Sequence, residues 1–308
     1  MRSDANTRLA MWSIWLIPLL WTVNNLLARV APGVVGPYTL GFMRWGLAGM
    51  LLSWLVRDEL RREWRYLVRH WYRYLVLGFL GMVACGAWVY IGGRTTSATN
   101  IALIYSAAPA LIAVSSAAWL RERMGGLQWA GLALALAGVL HVIVQGHWLG
   151  LADFRFVEGD LWILTSVVCW ALYALLLEAW RSPLGAAARL AAAAWGALPL
   201  LAAGAAWEMS QPSTPAIGAD ALLMGLVAAL VPGLMAFGLY GWSQQILGAS
   251  KVAATLYLGP LYGALAAWWL LGESLGWYHF WGAALLLPGV FLASRPVAPS
   301  RAAASAPL

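Results

Sequence analysis

An internal repeat constrains this chain more than any other feature. Residues 98–139 align without gaps on residues 249–290 when the sequence is shifted by 151 positions, the separation of Pro109 and Pro260. At that shift Glu122 falls on Glu273, and a pair of glycines seven apart falls on another such pair. Each copy predicts an apolar helix with a central proline, a tight turn that carries the glutamate, and a second apolar helix. Because a repeat determines the architecture, the chain is predicted to be a duplicated unit.

The composition places this unit in a membrane. Of the 308 residues, 62% are hydrophobic and 10% are charged, whereas roughly a quarter are charged in soluble domains. At about 20 apolar residues per spanning helix, the chain has room for about ten helices and for no separate soluble domain. We therefore expect an all-α integral membrane protein with ten transmembrane helices. The predicted spans are 9–28, 38–56, 74–92, 98–119, 127–144, 160–177, 189–207, 221–245, 252–271 and 278–293.

The domain organisation follows from the number of spans in each copy. We expect a first five-helix repeat over 1–150, a second over 151–295, and a disordered tail of Pro, Ala and Ser over 296–308. Since five is odd, the second repeat enters the membrane from the opposite side. The halves are then inverted about a pseudo-two-fold axis in the membrane plane, which is an arrangement typical of alternating-access transporters.

The basic residues predict orientation rather than nucleic-acid binding. The net charge of +7 comes from arginines beside apolar spans, and their bias to one side places both termini in the cytoplasm. Residues 57–73 interleave six arginines with aromatic residues, which predicts an amphipathic helix on the membrane surface. The apolar run after Arg2 and Arg8 has no convincing small-x-small cleavage site, so a retained first helix is favoured over a signal peptide.

Little in the sequence points to catalysis or to a cofactor. Cys85 and Cys169 both lie in apolar spans, and no disulfide, metal or redox motif is present. The four histidines are scattered rather than clustered as an integral membrane enzyme would need, and no filter-like motif suggests a channel. We expect a non-enzyme without cofactor or metal, whose partners are a small-molecule substrate and the lipid bilayer. The sequence allows a monomer without settling the oligomeric state.

Neutral polar and aromatic residues inside the spans are the candidates for binding a solute. A cavity with such walls suits a small amphipathic or zwitterionic solute, whereas a polyphosphate would need several convergent Arg or Lys residues. Many of the other tryptophans are expected in the interfacial belts. The predicted substrate-binding residues lie on the first, third, fourth, sixth, eighth and ninth spans: Asn24, Trp88, Tyr90, Tyr105, Trp170, Tyr173, Tyr240, Gln244 and Tyr257.

Four residues are predicted hinges of the helices around this cavity: Pro109, Pro260, Gly81 and Pro232. A proline in a helix lacks a backbone donor and clashes with the preceding turn. A static kink, with the freed carbonyl satisfied by neighbouring helices, is the alternative reading.

The charged residues inside or beside the spans have competing readings as well. Arg44 lies well inside its span, where a charge costs several kcal/mol unless it faces a wet cavity or a partner. It is therefore either a structural clamp, with Glu178 as a candidate partner, or a ligand for a substrate carboxylate. Glu122 and Glu273 are expected to cap the N-termini of the helices that follow them. No acid stands at mid-depth of a span, and the lack of a buried carboxylate disfavours proton coupling.

The two aligned segments carry a family resemblance. AAPALIAVSSAAWLRERMGGLQWAGLALALAG and LGPLYGALAAWWLLGESLGWYHFWGAALLLPG, together with the five-helix repeats, resemble the drug/metabolite transporter superfamily, specifically its EamA-type members. The resemblance covers nearly the whole chain, and the first half, rich in Trp and Tyr, looks most like the aromatic amino-acid exporter branch. It implies an inner-membrane exporter of amino acids, aromatic and other neutral ones, with broad specificity. The alternatives are an exporter of drugs or other metabolites on the same fold and, less favoured, an integral membrane enzyme.

Overall fold

The computed structural model is helical wherever it describes the chain, which is over residues 2–105, 107–108, 111–112, 125–148, 157–247 and 258–293. No strand occurs in these ranges. The all-helical expectation is thus confirmed for the described part. The predicted tail over 296–308 and four residues singled out above, Pro109, Glu122, Tyr257 and the side chain of Gln244, lie outside it.

The helices follow one another along the chain with short connections. Their bounds are α1 Arg2–Val30, α2 Pro37–Leu55, α3 Arg57–Arg62, α4 Trp64–Arg69, α5 Trp71–Gly78, α6 Trp88–Gly92, α7 Ala98–Tyr105, α8 Gly126–Ile143, α9 Glu158–Ala179, α10 Ala186–Met209, α11 Ala219–Ala228, α12 Ala236–Leu247, α13 Gly259–Leu271 and α14 Trp277–Ala293. A π-helical segment, Phe79–Ala87, joins α5 to α6, and a second, Ala229–Met235, joins α11 to α12.

Five stretches of the described residues are helical, long and apolar enough to cross a membrane. They are Asn6–Val30, Trp71–Gly92, Glu158–Leu177, Ala186–Met209 and Ala219–Ser243. A shorter apolar helix covers Gly126–Val142. The chain is therefore built for a bilayer, because water would not cover this much apolar helix surface.

The surface segment after α2 is amphipathic, but it is not one continuous helix. It forms two short helices, α3 and α4, broken at Glu63 and His70, and its last residues already belong to α5. Leu60, Tyr66 and Leu67 pack against the apolar core, while the arginines between them point outward. Breaking the helix lets each short piece follow the curved surface of the bundle and keep its apolar face inward.

Two helix pairs approach each other closely. α2 packs along α10, where the small residues Gly49 and Ala194 meet. α8 packs along α14, where a Cβ added at Gly138 would lie 2.7 Å from the backbone nitrogen of Leu286. A Cβ at Gly289 would collide with the backbone of Ala135. The glycines seven apart are thus packing positions, since only glycine permits backbones to come this near.

The two π-helical segments occupy corresponding places in the repeat. Gly81 lies in the first and Pro232 in the second, and the two residues are separated by the same 151 positions as the aligned segments. A π turn holds one residue more than an α turn and commonly marks a functional site. Both predicted hinges in the described part of the third and eighth spans therefore lie where the helix is already irregular.

Candidate transport cavity

A cavity of about 120 Å³ lies where α1, α2, the first π segment, α7, α9, α12 and α13 meet. It has room for several water molecules or a small solute. Its wall is largely apolar, with a few polar groups. The lining residues are Pro18, Trp21, Thr22, Asn24, Asn25, Arg44, Cys85, Ala102, Tyr105, Ala108, Trp170, Phe237, Gly259 and Pro260.

Aromatic rings form one side of this cavity. The ring of Trp21 lies 6.2 Å from that of Trp170, 5.7 Å from that of Phe237 and 5.3 Å from that of Tyr240, measured between centroids. Trp170 in turn stacks on Tyr173 at 5.3 Å. Edge-to-face and stacked pairs of this kind are mutually stabilising. The rings therefore form a preformed apolar surface contributed by α1, α9 and α12.

Arg44 is the charged residue of the cavity wall, and it is only 2% exposed. Its Nη1 donates to Asn24 Oδ1 at 2.5 Å and to the Tyr90 hydroxyl at 3.1 Å. Its Nη2 donates to the carbonyl of Pro232 at 3.4 Å, and its Nε has no hydrogen-bond partner. The guanidinium also lies over the ring of Trp45, 4.8 Å from the centroid. Arg44 thus ties α2 to α1, α6 and the second π segment.

Glu178 does not lie at the depth of Arg44. It belongs to the last turn of α9, and that end of α9 is located by the Tyr74 hydroxyl, 3.2 Å from Ser182 Oγ. Arg44 contacts Tyr90, which is about 20 Å further along the same transmembrane helix at roughly 1.5 Å per residue. A glutamate side chain cannot span that distance, so Glu178 is excluded as the partner of Arg44.

The structure brings many of the predicted substrate-binding residues together around the cavity. Asn24, Tyr105 and Trp170 line it directly. Tyr90 touches it through Asn24, whose Oδ1 accepts from the Tyr90 hydroxyl at 2.9 Å. Tyr173 and Tyr240 stand behind Trp170 and Trp21.

Trp88 and the described hinge Pro260 lie in different surroundings. The Trp88 indole donates to the Tyr38 hydroxyl at 3.2 Å and faces a separate pocket beside Phe79 and Trp207. Pro260 is in the cavity wall, in the first turn of α13, which begins at Gly259. Hinge motion at any of these positions stays a prediction.

Several cavity residues were not predicted from the sequence. These are Trp21, Thr22, Asn25, Cys85 and Phe237, among others. A helical signal for two of them existed, because Trp21 and Asn25 are four residues apart and therefore share one face of α1 with Asn24 at its edge. Cys85 and Phe237 had no such signal, since each lies in or directly after a π segment, where the 3.6-residue period does not apply.

A buried polar cluster closes the bundle at the end that carries the 93–97 loop. The Thr96 hydroxyl donates to Asp160, which also accepts from Asn100 Nδ2 at 3.5 Å. His279 Nε2 lies 3.2 Å from Asn100 Oδ1, and its Nδ1 accepts from the Gly276 amide at 3.0 Å. Nε2 must then be the protonated nitrogen that donates to Asn100. Asp160 is 1% exposed, and its Oδ2 has no partner.

Glu273 completes this polar cluster. Its carboxylate accepts from the backbone amides of Ala98 at 2.9 Å and Thr99 at 3.2 Å, and from the Thr99 hydroxyl at 3.0 Å. Arg29 lies 3.7 Å away at the edge. Glu273 therefore caps the N-terminus of α7, where a negative charge is favoured. The expectation that it caps the following helix is wrong, because that helix is capped by His279.

Other acids act in the same way. Glu208, only 7% exposed, accepts from the amides of Tyr38 and Thr39 and from the Thr39 hydroxyl, each at 2.9 Å. Glu59 accepts from the Gly185 amide at 2.6 Å, directly before α10. The expectation that the protein lacks a buried carboxylate is also wrong. It failed because these acids lie in turns of the sequence and are buried only by distant helices.

Comparisons with known proteins agree with this architecture. The model of the EamA-like transporter family matches residues 8–144 and 157–295. The "Uncharacterized transporter YyaM" of Bacillus subtilis is 28% identical over 87% of this chain and 88% of that protein. An "Uncharacterized transporter" of Archaeoglobus fulgidus is 22% identical over 90% and 94%. The "Inner membrane protein YtfF" of Escherichia coli is 30% identical over 45% and 44%.

The solved structures contribute the fold alone. One protein structure superposes with a TM-score of 0.59 at 19% identity, covering 91% of this chain and 94% of that chain. The sequence relatives carry names that point to transporters rather than to enzymes. With both halves of the chain matched by one family model, the protein is a multi-pass membrane protein that belongs to the EamA-like transporter family.

Proposed function

We propose that the protein exports aromatic and other neutral amino acids across the cell inner membrane by alternating access through the central cavity. The observation that carries this proposal is the cavity itself, in which the rings of Trp21, Trp170 and Phe237 face a few polar groups. Such a wall accepts the side chain of an amphipathic solute, while the polar groups accept its charged end. Contacts made mainly with rings tolerate many side chains, so specificity is broad.

The proposed architecture is ten spans in two inverted repeats, with both termini in the cytoplasm. Three features support it. The π segments coincide at the repeat shift, Glu208 caps α2 as Glu59 caps α10, and the close pairs α2–α10 and α8–α14 each join corresponding helices of the two halves. Halves that are alike can exchange conformations, which turns a cavity open to one side into a cavity open to the other.

Export of drugs or other metabolites on the same fold is the second candidate, because the names of the relatives specify no cargo. One observation weighs against organic cations. The described cavity wall contains Arg44 and no Asp or Glu, so a cationic drug would lie beside an uncompensated positive charge. The inner-membrane assignment is supported by the printed name of the Escherichia coli relative.

Counterflow into proteoliposomes tests the proposed function. Purified full-length protein is reconstituted, loaded with unlabelled phenylalanine, and offered a panel of radiolabelled amino acids, with and without an imposed pH gradient. We expect transient accumulation of several neutral amino acids, strongest for the aromatic ones. No accumulation of any amino acid, with accumulation of an organic cation or a nucleotide sugar instead, would overturn the proposed cargo.

A further inference from the structure

Arg44 is a buried cation that no acid of the described residues neutralises. The buried or half-buried acids have other partners: Glu208, Glu273 and Glu59 cap helices, and Asp160 is held in the polar cluster. The remaining acids whose side chains are described lie at the ends of the bundle: Asp58, Glu63, Glu158 and Asp220. An arginine within a membrane ordinarily has a partner or faces a functional cavity. Arg44 has the cavity.

The hydrogen bonds of Arg44 leave one edge of the guanidinium with spare donors. Nη1 is occupied by Asn24 and Tyr90, which hold the group in one orientation. Nε has no partner, and Nη2 makes one long contact, at 3.4 Å, to the carbonyl of Pro232. Adjacent guanidinium nitrogens with free donors match the two oxygens of a carboxylate. The protein therefore supplies an oriented cation and leaves its counter-charge to come from elsewhere.

We propose that Arg44 binds the carboxylate of the transported solute, and that the apolar group attached to this carboxylate lies against Trp21, Trp170 and Phe237. This inference rests on the proposed function and narrows it: the carboxylate is required for binding, and the ammonium group is not. The cavity accepts deaminated aromatic acids as well as amino acids. It excludes the corresponding amines, because two positive charges repel strongly where the dielectric is low.

A matched series of three ligands tests this inference on the unaltered protein. Phenylalanine, 3-phenylpropionate and phenethylamine share a ring and a two-carbon chain, and they differ only in carrying both charged groups, the carboxylate or the ammonium. Each is titrated into detergent-purified full-length protein while the thermal unfolding midpoint is measured. We expect the first two to raise the midpoint and phenethylamine to bind at least about tenfold more weakly. Equal stabilisation by phenethylamine overturns the proposal.

Two variants distinguish a ligand-binding Arg44 from a purely structural clamp. Asn24→Asp places a carboxylate on the atom that accepts from Nη1 at 2.5 Å, so it supplies an internal counter-charge. It should fold and bind 3-phenylpropionate roughly tenfold more weakly or worse. Tyr90→Phe removes one neutral hydrogen bond from Arg44, adds no charge, and should keep the preference for the acid over the amine. Unchanged acid binding in Asn24→Asp, or loss of the preference in folded Tyr90→Phe, makes Arg44 a clamp and overturns the inference.

The inference and the proposed function fail in different ways. Counterflow of amino acids without any binding of 3-phenylpropionate overturns the role given to Arg44 and leaves the amino-acid exporter standing. Binding of 3-phenylpropionate by the unaltered protein and its loss in Asn24→Asp, with no counterflow of any amino acid, supports the role of Arg44 and overturns the proposed cargo.

Discussion

The ends of the helix bundle and its central cavity treat buried charge in opposite ways. At the ends, Glu208, Glu273 and Glu59 each accept hydrogen bonds from backbone amides at the start of a distant helix. In the cavity, Arg44 is held only by neutral groups. A charge with fixed partners serves the fold, whereas a charge without a counter-charge is available to a solute. Changes at the ends should therefore alter stability and opening, and changes in the cavity should alter which solute binds.

The largest effect is expected from removing the acid that caps α2. Glu208→Ala leaves two amides and one hydroxyl without their acceptor in a buried place, which should lower the free energy of unfolding by about 3 kcal/mol. Thermal unfolding in detergent measures this loss. Asp220→Ala is the matched control, because Asp220 is exposed in the first turn of α11 and should change stability by less than about 0.5 kcal/mol. An unchanged midpoint for Glu208→Ala would mean that the cap contributes nothing.

A change in the aromatic wall should affect solute choice more than stability. Trp170→Ala removes the ring that contacts Trp21, Tyr173 and Phe237, so uptake of phenylalanine should fall roughly tenfold relative to that of alanine. Radiolabelled uptake into proteoliposomes gives this ratio. Trp195→Ala is the control, because this tryptophan is 48% exposed and bonds only Ser53. An equal fall for both amino acids would separate the aromatic wall from selectivity.

Weakening the polar cluster should loosen one end of the bundle without changing the order of solute preference. Glu273→Gln keeps the shape of the cap and removes its charge, which is worth about 1 kcal/mol, or roughly fivefold in an equilibrium. In a Cys169→Ala background, Cys85 in the cavity wall is the remaining thiol. A membrane-impermeant maleimide added on the side of the 93–97 loop should label it several times faster. Glu158→Gln, at an exposed position near this end, should leave the labelling rate unchanged.

The smallest effect is expected inside the first π segment. A Cβ added at Gly81 would lie 2.9 Å from the ring of Tyr173, whereas one added at Gly86 would lie 3.4 Å from the Trp45 indole nitrogen. Gly81→Ala should therefore lower stability by about 1 kcal/mol as the Tyr173 ring shifts, and Gly86→Ala by less. Paired melting curves measure the difference. The opposite order would show that the Tyr173 ring yields more easily than the indole.

The sequence predicted the parts of this structure that depend on local pattern. The repeat shift placed Gly81 and Pro232 at corresponding positions, and the isolation of Arg44 in an apolar span marked it as a functional candidate. The partners of Glu208 and Asp160 could not be predicted, because they lie 169 and 64 residues away along the chain and no spacing rule connects them. Trp88 was indistinguishable from Trp170 in sequence. Only the packing of Tyr38 beside it shows that it faces away from the cavity.

The missing counter-charge of Arg44 has an electrical consequence. Arg44 stays in the protein, so the charge that leaves the cell is that of the solute alone. A neutral zwitterion then crosses without using the membrane voltage. A deaminated acid carries one negative charge outward, and an interior-negative voltage assists its exit by about 2.3 kcal/mol per 100 mV. With the cavity wall as described, the voltage alone would expel organic acids, and no coupling ion would be needed.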